Sequence, residues 1–381
     1  MNSGILGWNS LKPGNTLWAL AQSAIAFVGR RINLTRMSRI FCCLLALACA
    51  SAWAQSSAQA LPAGPAAQSG KTVVFIASDY RNGGVMGVYR GFEEASGKLG
   101  WKLRLEDGGG LKGMQAELLK QAVASRPHGI VFGGFEPTDF ADHVAAAKRS
   151  KIVLLGWHAA KEPGPTKELF VNVSTRPIDV AKFAAGFVVR DAIATKRQVG
   201  VVIFNDNQYA VANAKTEAMK QTIQACQDYQ GCRVLSVENV LISDAAVVMP
   251  VIVPKLVAAY GTAWTYSLAI NDVYFDEMNY PLLLVKRTDI HNVSAGDGSS
   301  KALGRIGAGV SQQVATVAEP LKMQGYQLAD ELNRALGGAP PSGYQSLPIL
   351  VTTELVKSTG SRGIDGPLGF EAAYSAIWAG K

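Results

Sequence analysis

Short apolar runs alternate along this chain with amphipathic stretches, and this alternation strongly limits the possible folds. Apolar residues between the runs recur every three or four positions, as Val88, Phe92, Ala95 and Leu99 do, which predicts helices packed on a sheet. Nearly continuous apolar runs are typical of strands covered on both faces. The pattern predicts an α/β fold with parallel sheets and right-handed crossovers. The predicted strands are 72–77, 102–106, 129–132, 152–155, 199–204, 233–238, 264–270 and 290–295.

One stretch, Asp244–Tyr260, is more apolar than the other predicted helices. Pro250 and Pro254 interrupt it, and it is shorter than a bilayer crossing requires. We therefore expect a buried helix that is kinked by proline.

The residues that follow the predicted strands are unusually polar and aromatic. Ligands of open parallel sheets bind at the carboxyl ends of the strands, so these residues form the candidate site. Their side chains can hydrogen-bond hydroxyl groups or cover the apolar face of a ring, which predicts binding of a small polar compound such as a sugar. The candidates are Asp79, Tyr80, Arg81, Asn82, Phe135, Glu136, Trp157, His158, Asn205, Asn207, Tyr209, Asn271, Asp272 and Asp297.

Several of these candidates have an alternative structural role. Asx residues commonly cap helices, aromatic residues at strand ends often belong to the core, and an Asp before Gly often serves a turn. The alternatives are helix caps for Asp79, Asn205 and Asn271, core aromatics for Phe135 and Trp157, a structural hydrogen bond for His158, and a turn for Asp297.

Sequence motifs of the common enzyme classes are missing. Glycine-rich stretches at 108–113 and 304–309 lack the fingerprint spacing and later acidic partner of a dinucleotide site. The sequence contains no phosphate loop and no nucleophile elbow, and its four His residues form no catalytic or metal-binding pattern. We therefore predict neither catalysis nor a cofactor nor a metal site.

Near its start, the chain has the form of an exported protein. Met37–Gln55 combines a basic beginning, a short apolar run and an Ala-Trp-Ala exit, which is typical of a secretory signal peptide cleaved after Ala54. An uncleaved anchor is one alternative, and a lipoprotein attached through Cys49 is another, although the residues before Cys49 fit a lipobox poorly. Residues 1–36 contain basic but no acidic residues, which fits either an unusually long basic leader or a start assigned too early, and we favour the second interpretation, with Met37 as the true beginning. The predicted location is the periplasm.

Charge and cysteine content change once this leader is set aside. Five basic residues and no acidic residue lie in 1–54, so the remaining chain has 32 basic and 29 acidic residues, a net charge of +3. The basic pI of the full chain is therefore weak support for nucleic acid binding. The remaining cysteines, Cys226 and Cys232, are close enough in sequence for a local disulfide, with two free thiols as the alternative. Residues 55–70 are rich in Ala, Pro, Gly and Gln and are predicted to form a linker.

Residues 71–356 resemble the ribose-type periplasmic binding proteins of ABC transporters, which are related to the ligand cores of lactose-type repressors. The resemblance rests on the order of several motifs: a strand and Gly-rich turn at 72–84, GIVFGGFEPTDF at 129–140, the Asn-Asp pair in SLAINDVYFDEM, VSAGDGS at 293–299, a returning strand and helix at 307–336, and PILVTTELV at 348–356. It implies two Rossmann-like lobes joined by crossing hinge strands, with Gln312 at the position of a polar pocket residue.

The implied boundaries divide the chain into discontinuous lobes. The first lobe would comprise 71–174 and 300–345, the second 175–298 and 346–357, with a C-terminal tail at 358–381. Gly84 and Val85 occupy positions where sugar-binding members often have two aromatic residues, and Trp157-His158 replaces a common Arg. These departures argue against ribose itself and leave another sugar, a polyol or another small polar ring compound as the expected ligand.

The resemblance also implies a monomer whose partners are a small polar ligand and an inner-membrane ABC permease. The alternative is a ligand sensor that docks on a histidine kinase or chemoreceptor. A sugar-responsive repressor would need an N-terminal helix-turn-helix, and this chain has an export signal there, so we expect no nucleic acid partner.

Overall fold

The computed structural model describes residues 61–226, 232–360 and 363–381. The predicted signal peptide, the start at Met37 and the alternative lipid attachment at Cys49 lie outside the described residues. Cys226 and Cys232 are described, and their Cα atoms lie 5.7 Å apart with the sulfur atoms at bonding distance. This spacing accommodates the predicted disulfide.

The first lobe is built on a five-stranded parallel sheet in the order β2-β1-β3-β4-β5. Alternate residues of β1 enter opposite cores, because Val73 and Phe75 pack on one face while Val74 and Ile76 pack on the other. Helices therefore cover both faces of this sheet. The elements are β1 (Thr72–Ala77), α1 (Gly83–Lys98), β2 (Lys102–Asp107), α2 (Lys112–Ala124), β3 (Gly129–Gly133), α3 (Ala141–Arg149), β4 (Val153–Trp157) and β5 (Val171–Val173).

The second lobe contains a six-stranded sheet in the order β11-β10-β9-β8-β6-β7. All pairs are parallel except the antiparallel pair of β10 and β11. Its elements are α4 (Pro177–Thr195), β6 (Gly200–Asn205), α5 (Ala210–Gln224), β7 (Arg233–Asn239), α6 (Ala245–Tyr260), β8 (Tyr266–Ala269), α7 (Val273–Leu284), β9 (His291–Ser294), α8 (Ser300–Ala308), β10 (Gln313–Ala318), β11 (Ile349–Val351) and α10 (Thr353–Thr359). Two helices that follow β10 in sequence, α9 (Leu321–Leu336) and α11 (Phe370–Trp378), pack instead on the first lobe.

This arrangement confirms the predicted fold class of two α/β lobes with parallel sheets. The chain passes between the lobes at 174–176, 319–320 and 337–348, and a fourth time between α10 and α11. All eight predicted strands are present, and β5 was missed because it contributes only three residues. The predicted boundary at residue 300 was wrong, since β10 pairs with β9 and β11, so 300–318 belongs to the second lobe.

Both ends of the described chain pack on the first lobe. Arg334 donates hydrogen bonds to the carbonyl oxygens of Pro62 and Ala63 at 2.8 and 2.9 Å. In the predicted tail, the rings of Tyr374 and Trp378 pack on Tyr326 of α9. The described part of the predicted linker is therefore anchored on the first lobe, because its carbonyl groups satisfy polar side chains of α9.

Helix α6 differs from the buried helix that the sequence predicts. Met249 and Val253 are buried against the second sheet, but the side chains of Val247 and Val251 are 75% and 55% exposed. The wider stretch Ile242–Ala263 passes a membrane-span test by length and composition alone, a test that core helices also pass. Its outer face is apolar and exposed, so the expected full burial was wrong.

Helices α1 and α9 approach so closely that each has a glycine at the contact. A Cβ atom on Gly91 would lie 2.3 Å from the carbonyl oxygen of Lys322, and one on Gly325 would lie 2.4 Å from the backbone nitrogen of Phe92. Backbone atoms cannot yield as a flexible side chain can. The packing of α9 on α1, and thus the attachment of α9 to the first lobe, requires glycine at both positions.

We predict that Gly325→Ala lowers the free energy of unfolding by about 1–3 kcal/mol, because the added methyl group forces the two helix backbones apart. Gly97→Ala is the control, since Gly97 lies in the partner helix α1, where an added methyl group would meet no described neighbour within 4 Å outside its own helix turn. Alanine there should stabilise the protein by up to about 1 kcal/mol through helix propensity. Urea unfolding would measure both variants. Equal effects of the two substitutions would contradict the close packing.

Candidate ligand-binding site

A cavity lies between the lobes, at the carboxyl ends of both sheets. The space between its walls, together with the open solvent at its mouth, is about 440 Å³. Residues after β1, β3 and β4 form one wall, and residues after β6, β8 and β9 together with α5 form the other. The cavity is lined by Asn82, Gly134, Trp157, His158, Tyr209, Val211, Ala212, Lys215, Ile242, Ile270, Asn271 and Asp297.

The first-lobe wall is held rigid by side-chain hydrogen bonds. Asn82 caps α1, and its Oδ1 atom accepts from the backbone nitrogens of Gly84 and Val85 at 3.0 and 3.3 Å. The Trp157 indole donates to Gln324 Oε1 at 2.7 Å. The Trp157 ring also stacks on the His158 ring, with centroids 4.2 Å apart. This wall therefore offers a fixed amide beside a fixed aromatic surface.

The second-lobe wall contains a buried charged pair. Asn271 Nδ2 donates to Asp297 Oδ2 at 2.5 Å, and Lys215 Nζ lies 4.0 Å from the other carboxylate oxygen, Oδ1. Burial raises the pKa of Asp297 to about 6, although the neighbouring Lys215 and His158 oppose this shift. The wall thus presents both a carboxylate and an ammonium group to the cavity.

Asp272 shapes this wall from behind. Its Oδ2 atom accepts from the backbone nitrogens of Asp297, Gly298 and Ser299 at 2.8–3.0 Å, and Oδ1 accepts from Gln313 Nε2 at 2.8 Å. Asp272 is not among the residues that line the cavity. It positions the turn that carries Asp297.

A carboxylate that the sequence analysis missed, Glu319, lies where the chain crosses between the lobes. His158 Nε2 lies 2.5 Å from its Oε1 atom, and Thr175 N and Gln324 Nε2 donate to its Oε2 atom at 3.0 and 2.7 Å. Gln324 also donates to Ser346 Oγ. Burial acts to raise the pKa of Glu319, but His158, Lys215 and the hydrogen bonds outweigh it and hold the pKa at about 2. Glu319 thus remains ionised and links its own crossing segment to 174–176 directly and to 337–348 through Gln324.

His158, Asp297 and Glu319 form a cluster that the sequence pattern did not predict. Their ligand atoms lie within 4.8 Å of one another, which is close enough for a metal ion. However, the Lys215 ammonium group lies beside Asp297 and would repel a divalent cation. We therefore assign these side chains to ion pairing.

Arg81 joins the lobes outside the cavity. Its guanidinium group donates to both oxygens of Asp79, at 2.7–3.1 Å, and Nη1 donates to the carbonyl oxygen of Ser243 in the second lobe at 2.9 Å. Tyr80 points away, with 39% of its side chain exposed. Asp79 and Arg81 therefore form an interlobe clasp, and neither they nor Tyr80 line the cavity.

The remaining candidates are distributed around the cavity. Phe135 and Glu136 line a neighbouring cavity, and Tyr209 lines both cavities. Asn205 is buried in hydrogen bonds to Thr216 and Asn213. The other two lie elsewhere, since Asn207 is exposed and Gln312 immediately precedes β10, at the end of the strand away from the cleft.

Lys215 and Glu319 were missed for identifiable reasons. Glu319 follows β10 directly, so the strand-end rule applies to it. The family resemblance, however, implies Gln312 as the pocket residue near this strand. Lys215 lies within α5 rather than after a strand. Its signal was a lysine on a helix face shared with the buried residues Ala212 and Met219.

With this geometry established, the comparisons with known proteins are informative. Residues 73–340 match the family model of the periplasmic binding protein domain. The chain belongs to this family. No curated protein matches it in sequence.

Solved structures share the type I fold of this periplasmic binding protein. An ABC transporter solute-binding protein from Agrobacterium vitis with bound allitol is 18% identical, with a TM-score of 0.62 over 76% of this chain and 97% of that chain. A sugar ABC transporter protein from Yersinia enterocolitica subsp. enterocolitica 8081 is 15% identical, with a TM-score of 0.69 over 82% and 96%. A carbohydrate transporter solute-binding protein from Agrobacterium radiobacter in complex with D-arabinose is 16% identical, with a TM-score of 0.63 over 81% and 99%.

The interlobe clasp predicts that Arg81→Lys opens the ligand-free protein. Lysine keeps a positive charge beside Asp79, but a single ammonium group cannot reproduce the forked contacts to Asp79 and Ser243. We expect a larger radius of gyration in small-angle X-ray scattering. Arg104→Lys is the control, because Arg104 is similarly exposed and pairs with Glu106 inside the first lobe. An unchanged radius in Arg81→Lys would show that the clasp does not hold the lobes together.

Asp297 predicts a specific pH dependence of stability. Its pKa is about 6 when folded and 3.8 as the ordinary value, so between these pH values the folded protein binds the proton and the unfolded chain does not. The free energy of unfolding should therefore fall as pH rises from about 4 to 6, by at most about 2–3 kcal/mol. Urea unfolding of Asp297→Asn should lack this decrease. The exposed control Asp142→Asn should retain it, and an identical pH profile for wild type and Asp297→Asn would disprove the assignment.

Proposed function

We propose that this protein captures a sugar or sugar-like compound between its two lobes and delivers it to an ABC permease. The observation that carries the proposal is the interlobe cavity, in which Asn82, Asn271 and Asp297 provide hydrogen-bonding groups beside the aromatic rings of Trp157 and Tyr209. Polar groups around a partly aromatic cavity suit a ring or chain that carries many hydroxyls.

The fold supplies a mechanism for capture. Each lobe contributes one wall, so a ligand that contacts both walls stabilises the closed arrangement over the open one. Rotation about the crossing segments would open the cavity to solvent. Closure would both exclude water from the ligand and create a combined surface of the two lobes for the permease to recognise.

Two further observations support this proposal. Solved structures with the same fold include solute-binding proteins that hold allitol and D-arabinose. The segment Met37–Gln55 has the form of a signal peptide, which would place the protein in the periplasm, where such capture occurs. We propose no catalytic step, because the sequence contains none of the common catalytic motifs.

A thermal-shift panel tests the proposal directly. Sugars, polyols, nucleosides and amino acids would be added to the chain from residue 55 onward, and calorimetry would follow for any compound that raises the melting temperature. A ligand that binds only the folded protein stabilises it increasingly as its concentration rises above Kd. We expect stabilisation by at least one sugar or polyol. Stabilisation by amino acids or nucleosides alone, or by none of the compounds, would overturn the proposal.

We further predict that Asn271→Ala weakens binding of that sugar or polyol by about tenfold or more. The substitution removes an amide from the cavity wall and frees the Asp297 carboxylate that it orients. Asn207→Ala is the matched control, since its exposed side chain lies outside the cavity. Calorimetric affinities that fall equally in both variants would place the binding site elsewhere.

A further inference from the structure

Lys215 is buried in the cavity wall with most of its hydrogen-bonding capacity unused. Its side chain is 3% exposed, and it shares one face of α5 with the buried residues Ala212 and Met219. An ammonium group has three N–H donors. Among the described residues, only the carbonyl oxygen of Ala295 lies within hydrogen-bond distance, at 2.8 Å. Two donors are therefore left for whatever occupies the cavity.

The facing carboxylate is also incompletely satisfied. Asp297 Oδ2 accepts from Asn271, whereas Oδ1 lies 4.0 Å from Lys215 Nζ, which is too far for a hydrogen bond. A buried charge that lacks partners is costly. The cavity thus places the acceptor Asp297 Oδ1 beside the unused N–H donors of Lys215. Two neighbouring polar groups of a ligand, one bound to each side chain, can bridge the distance between them.

The local charges indicate which chemistry fits this pair. Lys215 and Asp297 balance each other, and Glu319 is paired with His158. An anionic ligand group would be repelled by Asp297, and a cationic one by Lys215. A neutral group that can both donate and accept avoids both penalties. Hydroxyls on adjacent carbons have these properties, because one can donate to the carboxylate while its neighbour accepts from the ammonium group.

We propose that Lys215 and Asp297 together recognise two adjacent hydroxyls of an uncharged ligand, and that Lys215 determines selectivity against deoxy and acidic analogues. This inference rests on the proposed function and specifies the class of compound that the same cavity takes. A ligand that lacks one of the two hydroxyls leaves a buried charged group unpaired. Sites built to bind a hydroxyl reject such analogues strongly, so we expect a loss of at least about 100-fold.

The first test changes the ligand and leaves the protein intact. Calorimetry on the wild-type protein would compare allitol, D-arabinose and D-ribose, and then each monodeoxy analogue of the compound that binds best, including 2-deoxy-D-ribose for D-ribose. The corresponding uronic or aldonic acid provides the acidic probe. We expect one adjacent pair of hydroxyls whose removal costs at least about 100-fold, and weaker binding of the acid. Equal binding of every deoxy analogue, or tighter binding of the acid, would overturn the inference.

The second test changes the protein. Lys215→Met retains much of the length of the side chain but removes its charge and donors, and it should both weaken binding and abolish discrimination between the diol and its deoxy analogue. Lys220→Met is the matched control, because Lys220 lies on the same helix and pairs at the surface with Glu217. Lys215→Arg restores the positive charge and should recover part of the affinity. Circular dichroism would establish that each variant is folded.

The outcomes separate this inference from the proposed function. Wild-type binding of a sugar or polyol together with unchanged affinity and selectivity in folded Lys215→Met would overturn the role of Lys215 alone. Failure of the wild-type protein to bind any sugar or polyol would overturn both. If Lys215→Met does not fold, the deoxy series on the wild-type protein decides the question by itself.

Discussion

The two lobes depend on one buried carboxylate where the chain crosses between them. An ionised group that is removed from water must be paired and hydrogen-bonded, and Glu319 meets this requirement by binding His158, Thr175 and Gln324. These partners come from different parts of the chain. Because the buried charge of Glu319 must be paired, its contacts hold those segments together where the chain crosses between the lobes. The same contacts fix the His158 ring against Trp157, and so the wall of the cavity is defined by the hinge itself.

The site also shows that structural and binding roles can be combined in one residue. Asn82 caps a helix through Oδ1 and also lines the cavity, while Asn271 accepts from the backbone of α7 and orients Asp297. Asp272 does not line the cavity and instead holds the backbone of the turn that carries Asp297. The alternatives of helix cap and ligand contact, which a sequence presents as competing, are therefore compatible wherever a helix begins at the edge of a cavity.

Local patterns predicted eight of the eleven described strands, because a strand buried on both faces is apolar along its length. The strand-end rule named Asn82, Trp157, His158, Tyr209, Asn271 and Asp297, all of which line the cavity. It could not distinguish these from Asn205 or Asp79, whose side chains are used by other neighbours, such as Thr216 and the clasp to Ser243. The strand-end rule could not predict Lys215, because this residue lies within α5 and approaches Asp297 only through the packing of α5 on the second sheet. The exposure of the outer face of α6 could not be predicted either, since apolar composition does not reveal which elements cover a helix.

The clasp between Arg81 and Ser243 separates closure of the lobes from recognition of the ligand. It joins the lobes outside the cavity, so it stabilises the closed form to the same extent whatever compound is bound. Differences in affinity between ligands then arise from the cavity residues. Selectivity and closure are thereby assigned to separate groups of atoms.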